Sequence, residues 1–200
     1  MVTVKLYVEG AAQKTDLERT RCREAFSAFF ATAGLDRRPR VVPCGGRRFA
    51  YDAFVTAVRS ARPGELPLLL VDVEAEVAAH HTTWQHLKAR DHWDKPDGAT
   101  DDQAFLMVQV METWFLADRA MLRAYFGPEF AEKHIQAWPS LEDVPKPTVY
   151  DVLEKATANC RRKAYAKGRT SFEMLARLDP VKVEGACLHA KTFLDRLRKL

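Results

Sequence analysis

The chain has 200 residues, 47% apolar and 29% charged, a composition that excludes disordered, collagenous and fibrous proteins and suits one domain with at most a small appendage. Its longest uncharged apolar stretches, Leu66 to Val71 and Ala104 to Met111, fall far short of the roughly 18 residues a membrane span requires. The net charge of +4 is uneven, because residues 155–200 carry 12 Lys or Arg against 4 Asp or Glu, a local +8, and leave the remainder at −4.

In chain order, strand and helix signals alternate. Val2 to Val8 is β-branched and aromatic with polar residues between, and Glu9-Gly10 ends it as a strand running into a loop. The opening residues lack the basic and apolar regions of a signal peptide, so a cytoplasmic protein is expected. Asp16 to Ala33 places Leu17, Cys22, Ala25, Phe26, Phe29 and Phe30 at helical spacing, closed by Gly34. A short strand, Arg40 to Pro43, leads into Cys44-Gly45-Gly46, and a helical period returns from Tyr51 to Ser60. Leu66 to Val71 is a continuous apolar run, the pattern of a strand buried on both faces of a parallel sheet. The polar segment from His80 to Thr100 reads as a long excursion or lid, an insertion at about residues 78–102. Phe105 to Ala117 suits a strand, a helix, or a strand passing into a helix, and two or three helices are predicted from Val149 to Leu200. The predicted architecture is therefore α/β. A parallel sheet flanked by helices occupies residues 1–125, and a basic helical extension, residues 126–200, packs on it.

Ligands of such sheets bind at the carboxyl ends of the strands, and acids stand there. Glu9 closes the first predicted strand, Asp72 and Glu74 the third, and Glu112 and Asp118 follow the polar segment. If the first and third strands are neighbours, Glu9, Asp72 and Glu74 converge. Gathered carboxylates repel one another unless a hard cation neutralises them, and an all-oxygen donor set suits Mg²⁺ or Mn²⁺. The cysteines (Cys22, Cys44, Cys160, Cys187) form no Cys-x-x-Cys pair and the histidines no His-x-x-x-His, which argues against zinc.

The order Val8-Glu9-Gly10, Cys44-Gly45-Gly46-Arg47 and Leu68-Leu69-Leu70-Val71-Asp72-Val73-Glu74 resembles the Toprim domain of topoisomerases, primases and OLD-type nucleases. With Trp84-Gln85-His86-Leu87-Lys88, Met111 to Asp118 and Tyr165 to Glu173 added, the chain is similar over nearly its whole length to a Toprim-like bacterial branch found among antiviral defence genes beside ATPases of the ABC or SMC type. The resemblance implies a metal-dependent nuclease. Glu9, Asp72 and Glu74 would be catalytic and, with Glu112, would ligate Mg²⁺ or Mn²⁺, with Asp118 a further candidate to complete the cluster. Nucleic acid, DNA foremost, would be held by Lys14, Arg47, Arg48, Arg161, Arg162, Lys163, Lys167 and Arg169, and the ATPase would be a partner. Glu74 stands where the family usually has Asp, and no acid follows Glu9-Gly10 closely, as it does in OLD-type members. Two other readings stay open: a non-catalytic binding module of an ATPase complex, and a small-molecule phosphohydrolase. Self-association is open too. Each acid also has an ordinary structural reading as a cap or loop organiser.

Overall fold

The computed structural model describes residues 2–10, 15–78, 80–160 and 164–200. In β1 (Thr3–Val8), Val4, Leu6 and Val8 are buried while the residues between them are not, the two-residue period of a strand. β1 pairs in parallel with β2 (Arg40–Pro43) on one side and with β3 (Glu65–Asp72) on the other, Leu6 facing Val41 and Leu68. β4 (Ala104–Met107) pairs in parallel with β3, so the sheet order is β2-β1-β3-β4.

Both faces of the sheet are covered, and β3 therefore needs apolar residues at consecutive positions; Leu68, Leu69, Leu70 and Val71 are each 0% exposed. Leu68 and Leu70 pack with Phe26, Phe29 and Phe30 of α1 (Asp16–Ala31). Leu69 and Val71 face Phe54 of α2 (Arg47–Arg59) and Trp84 and Leu87 of α3 (Thr83–Asp91). The connection that the sequence suggested as a lid is thus a second cover layer. α3 starts at a capping box in which Thr82 and Gln85 bond reciprocally, and Trp84, Leu87 and nearby Trp93 bury against the sheet rather than projecting over its edge. His86 is buried with them, at 4% exposure. The helix around Tyr51 begins earlier than its apolar period indicated, at Arg47, because Gly46 supplies the extended N-cap.

Beyond β4 the apolar run resolves as a strand passing into a helix, α4 (Thr113–Ala117), followed by α5 (Arg119–Phe126), α6 (Lys146–Thr157), α7 (Arg169–Leu175), α8 (Pro180–Ala186) and α9 (Leu188–Arg198). These helices share the α1 side of the core. Phe193 of α9 meets Phe30 at 6.0 Å and Phe105 at 5.1 Å between ring centroids, so the C-terminal segment extends the same core instead of forming one of its own. Among the described residues, no helix is long and apolar enough to cross a membrane. Cys22, Cys44 and Cys187 carry free thiols, and burial pushes Cys22 and Cys187 up to about 12.

Candidate functional site: a carboxylate cavity at the sheet switch point

The chain leaves β1 toward β2 and returns to β3 on the opposite side of β1, so the crossover connections diverge between β1 and β3. A crevice opens at the carboxyl ends of strands at such a switch point. Here it is a cavity of about 340 Å³ lined by, among others, Glu9, Asp72, Glu112 and Lys167. Glu9 follows the last residue of β1, and its amide continues the ladder by donating to the Leu70 carbonyl at 3.1 Å. Asp72 ends β3, and Glu112 stands in the turn between β4 and α4. Three strands thus each deliver one acid to the same space.

The backbone around the cavity is glycine-rich for a steric reason. Gly10 and Gly45 exchange two hydrogen bonds of 2.8 Å, and Gly10 has φ of +152°. A Cβ at Gly10 would lie 2.9 Å from the Cys22 Sγ in a backbone conformation that side chains rarely adopt, so a larger residue there would strain the approach of the two loops.

The acids are linked. The Asp72 amide donates to Glu9 Oε2 at 3.2 Å, and the Met111 amide donates to Asp72 Oδ1 at 2.8 Å. Asp72 is 7% exposed and its carboxyl is held well above the usual carboxylate range, chiefly by burial, with the negative charges of Glu9 and Glu112 adding to it. Burial also pushes Glu9 up, to about 7, helped by the charge of Glu74 and opposed by Arg47, the Asp72 amide and Lys167. Two carboxyls that favour the neutral form, each chiefly through burial and each with a nearby negative charge, mark a place where a cation, or a proton, is wanted.

Glu112 is 2% exposed and takes its stabilisation from hydroxyls. Tyr165 donates to Oε1 at 3.0 Å, Ser171 to the same oxygen at 3.1 Å, and Tyr150 to Oε2 at 3.4 Å. Burial and the adjacent carboxylate hold both tyrosine hydroxyls above their ordinary value, so they remain donors. Tyr165 and Ser171 lie within the Tyr165-to-Glu173 motif, but the sequence reading assigned roles only to its cations. Asking what a buried Glu112 must bond to would have drawn attention to these hydroxyls.

Glu74 stands apart from the other acids. Two residues past β3 it adopts φ of +59°, does not line the cavity, and binds Lys146 at 2.5 Å and Arg90 at 3.3 Å. Burial acts to raise its carboxyl, but Lys146, Arg47 and Arg90 outweigh that and hold it below its ordinary value. It is a counter-ion tying the end of β3 to α3 and α6, and its charge is still felt at Glu9. Asp118 likewise caps α5, accepting from the Met121 amide at 3.0 Å and from Lys182 at 2.6 Å.

The expected nucleic-acid contacts separate as well. Lys167 lines the cavity, its ammonium 5.2 Å from the centre of the Tyr150 ring. Arg47, with a side chain only 10% exposed, pairs with Asp91 and stacks over Trp93 at 5.1 Å, and its charge acts on Glu9. Arg48 is exposed and bonds Asp52 one turn along α2 at 3.1 Å. Lys14, Arg161, Arg162 and Lys163, and the side chain of Arg169, lie outside the described residues.

The carboxylate and carbonyl oxygens here suit a hard divalent ion. Among the described residues, no group of three or more His, Cys, Asp or Glu side chains is arranged to hold a metal ion; each acid of the cavity already gives an oxygen to a protein donor. The donor type is one that Mg²⁺ or Mn²⁺ takes, while the protein bonds of Glu9, Asp72 and Glu112 leave no assembled ligand set among the described residues.

Fold and site together define an α/β protein with a buried acidic cavity at the switch point of a parallel sheet. The chain belongs to the DUF4276 family, a domain of unknown function whose profile matches residues 8–198. Comparison with curated proteins and with solved structures gives no match.

Proposed function

We propose that the protein is a metal-dependent phosphodiesterase acting on nucleic acid, a nuclease of Toprim type. The observation that carries this reading is the convergence of Glu9 and Asp72 at the switch point, both held toward the neutral form chiefly by burial, beside the Lys167 ammonium. Glu9 and Asp72 would hold Mg²⁺ or Mn²⁺, with Glu112 as a further ligand. A divalent ion bound there supplies a water of lowered pKa and neutralises charge on the phosphate. Lys167 faces the same space and stabilises the phosphate oxygens. Tyr150, Tyr165 and Ser171 fix the Glu112 carboxylate so that it does not turn away when charge enters the cavity. The proposal extends to a cytoplasmic role in an antiviral defence complex, with an ABC- or SMC-type ATPase as the partner.

The test is calorimetric titration of Mg²⁺ and Mn²⁺ into wild type and Asp72→Asn, with cleavage of single- and double-stranded DNA and RNA measured on the same preparations. Asn keeps the acceptor for the Met111 amide, so the fold is retained while a charged ligand is removed. Metal binding and cleavage that are both lost in the variant support the reading. Wild-type protein that binds neither ion refutes it, and then favours a non-catalytic binding module, to which the protein-bonded state of all three acids also points.

A further inference from the structure

We infer that the cavity receives one nucleotide at a time, as the end of a single strand or as a free nucleotide, and that it excludes intact duplex. The inference rests on the phosphodiesterase reading and narrows its substrate. Three observations carry it. First, the acids lie at depth: Asp72 is 7% and Glu112 2% exposed, so a phosphate on the convex backbone of a duplex cannot reach them without an opened strand. Second, the cavity volume of about 340 Å³ lies at the lower end of small-molecule sites, enough for one nucleotide-sized group and far from a groove that tracks a helix. Third, the lining is mixed in character: Met107, Met111 and Phe172 line the cavity together with Lys167 and the acids, so one space offers apolar contact suited to a base and charge suited to a phosphate.

For a strand end the chemistry balances as hydrolysis. Water adds its oxygen to phosphorus, the bridging bond to the adjacent sugar oxygen breaks, and that oxygen leaves with the proton. The products are one nucleotide and a chain shortened by one, with no redox partner involved.

The experiment uses the full chain with Mn²⁺ and three probes: an end-labelled single-stranded oligonucleotide, a covalently closed circular plasmid, and dAMP titrated by calorimetry. Stepwise release of mononucleotides from the oligonucleotide, an uncut plasmid and measurable dAMP binding are expected. Met111→Trp, which fills the cavity and leaves every acid in place, should weaken dAMP binding about tenfold or more, and Met111→Leu should not; circular dichroism verifies that both variants fold. dAMP binding with an uncut oligonucleotide assigns the site to free nucleotides. Nicking of the closed circle as fast as the oligonucleotide is cut, or dAMP binding that Met111→Trp leaves unchanged, overturns the inference while leaving the phosphodiesterase reading intact. Absence of metal binding and of all cleavage overturns that reading instead.

Discussion

The electrostatic state of Glu9 gives a direct prediction for the metal-free protein. Its carboxyl lies at about 7 in the folded chain against an ordinary value of 4.5. The folded state therefore holds this proton more tightly than the unfolded one, and the associated stability is fully present below about 4.5 and fades as pH rises through about 7. The difference corresponds to about 3 kcal/mol, or a Tm change of roughly 6–12 °C for a chain of this size. Glu9→Gln keeps the shape and an oxygen to accept from the Asp72 amide but cannot ionise. Urea unfolding followed by circular dichroism, in chelator-treated buffer between pH 4.5 and 8, should show wild type losing about 3 kcal/mol relative to Glu9→Gln as pH rises. Taking the difference between the two proteins cancels groups that do not feel Glu9, such as His86, whose burial lowers its pKa and gives a slope of opposite sign in this range; Asp72, which the Glu9 charge raises, contributes to the difference together with Glu9. A wild-type and variant pair whose pH profiles run parallel would refute the argument that Glu9 is buried against its charge.

Other consequences are equally specific. Glu74→Gln breaks part-exposed ion pairs to Lys146 and Arg90, so stability should fall by no more than about 1 kcal/mol, and Mn²⁺ binding by calorimetry should be unchanged; lost binding would return Glu74 to the metal site. Tyr165→Phe removes a hydroxyl donor from the buried Glu112 carboxylate and should destabilise by roughly 1.5–3 kcal/mol in urea unfolding, whereas a loss near zero would mean that Glu112 does not depend on that bond. Asp118→Ala removes the cap of α5 and the partner of Lys182, for an expected loss of about 2 kcal/mol. That variant should still bind Mn²⁺, because Asp118 serves the helix and not the cavity.

Much of the architecture was legible in local pattern. The alternation in Val2 to Val8, the helical spacing of Phe26, Phe29 and Phe30 and the unbroken Leu66 to Val71 run specify a parallel sheet covered on both faces, because burial on one face or two dictates which positions are apolar. The same pattern puts Glu9, Asp72 and Glu74 at strand ends and Glu112 on the apolar segment after the polar connection. It misjudged the segment from His80 to Thr100, whose polar surface masked the few residues that anchor it, Trp84, Leu87 and Trp93. It also placed Glu74 with Asp72 at the end of the third strand, although a positive φ at Glu74 takes that residue out of the strand's alternation.

The amino-acid sequence by itself thus determined the element types, the parallel sheet and the acids at its carboxyl edge, since each of these follows from periodicities a few residues long. Tertiary structure alone decided which acids share a cavity. The partner that keeps a buried carboxylate from being orphaned is chosen by packing: Glu112 finds its hydroxyls on Tyr150, Tyr165 and Ser171, 38, 53 and 59 residues away, and Glu74 finds its ammonium on Lys146, 72 residues away. No local pattern encodes such distances, because the desolvation cost that makes these pairings necessary arises only once the chain has closed around them.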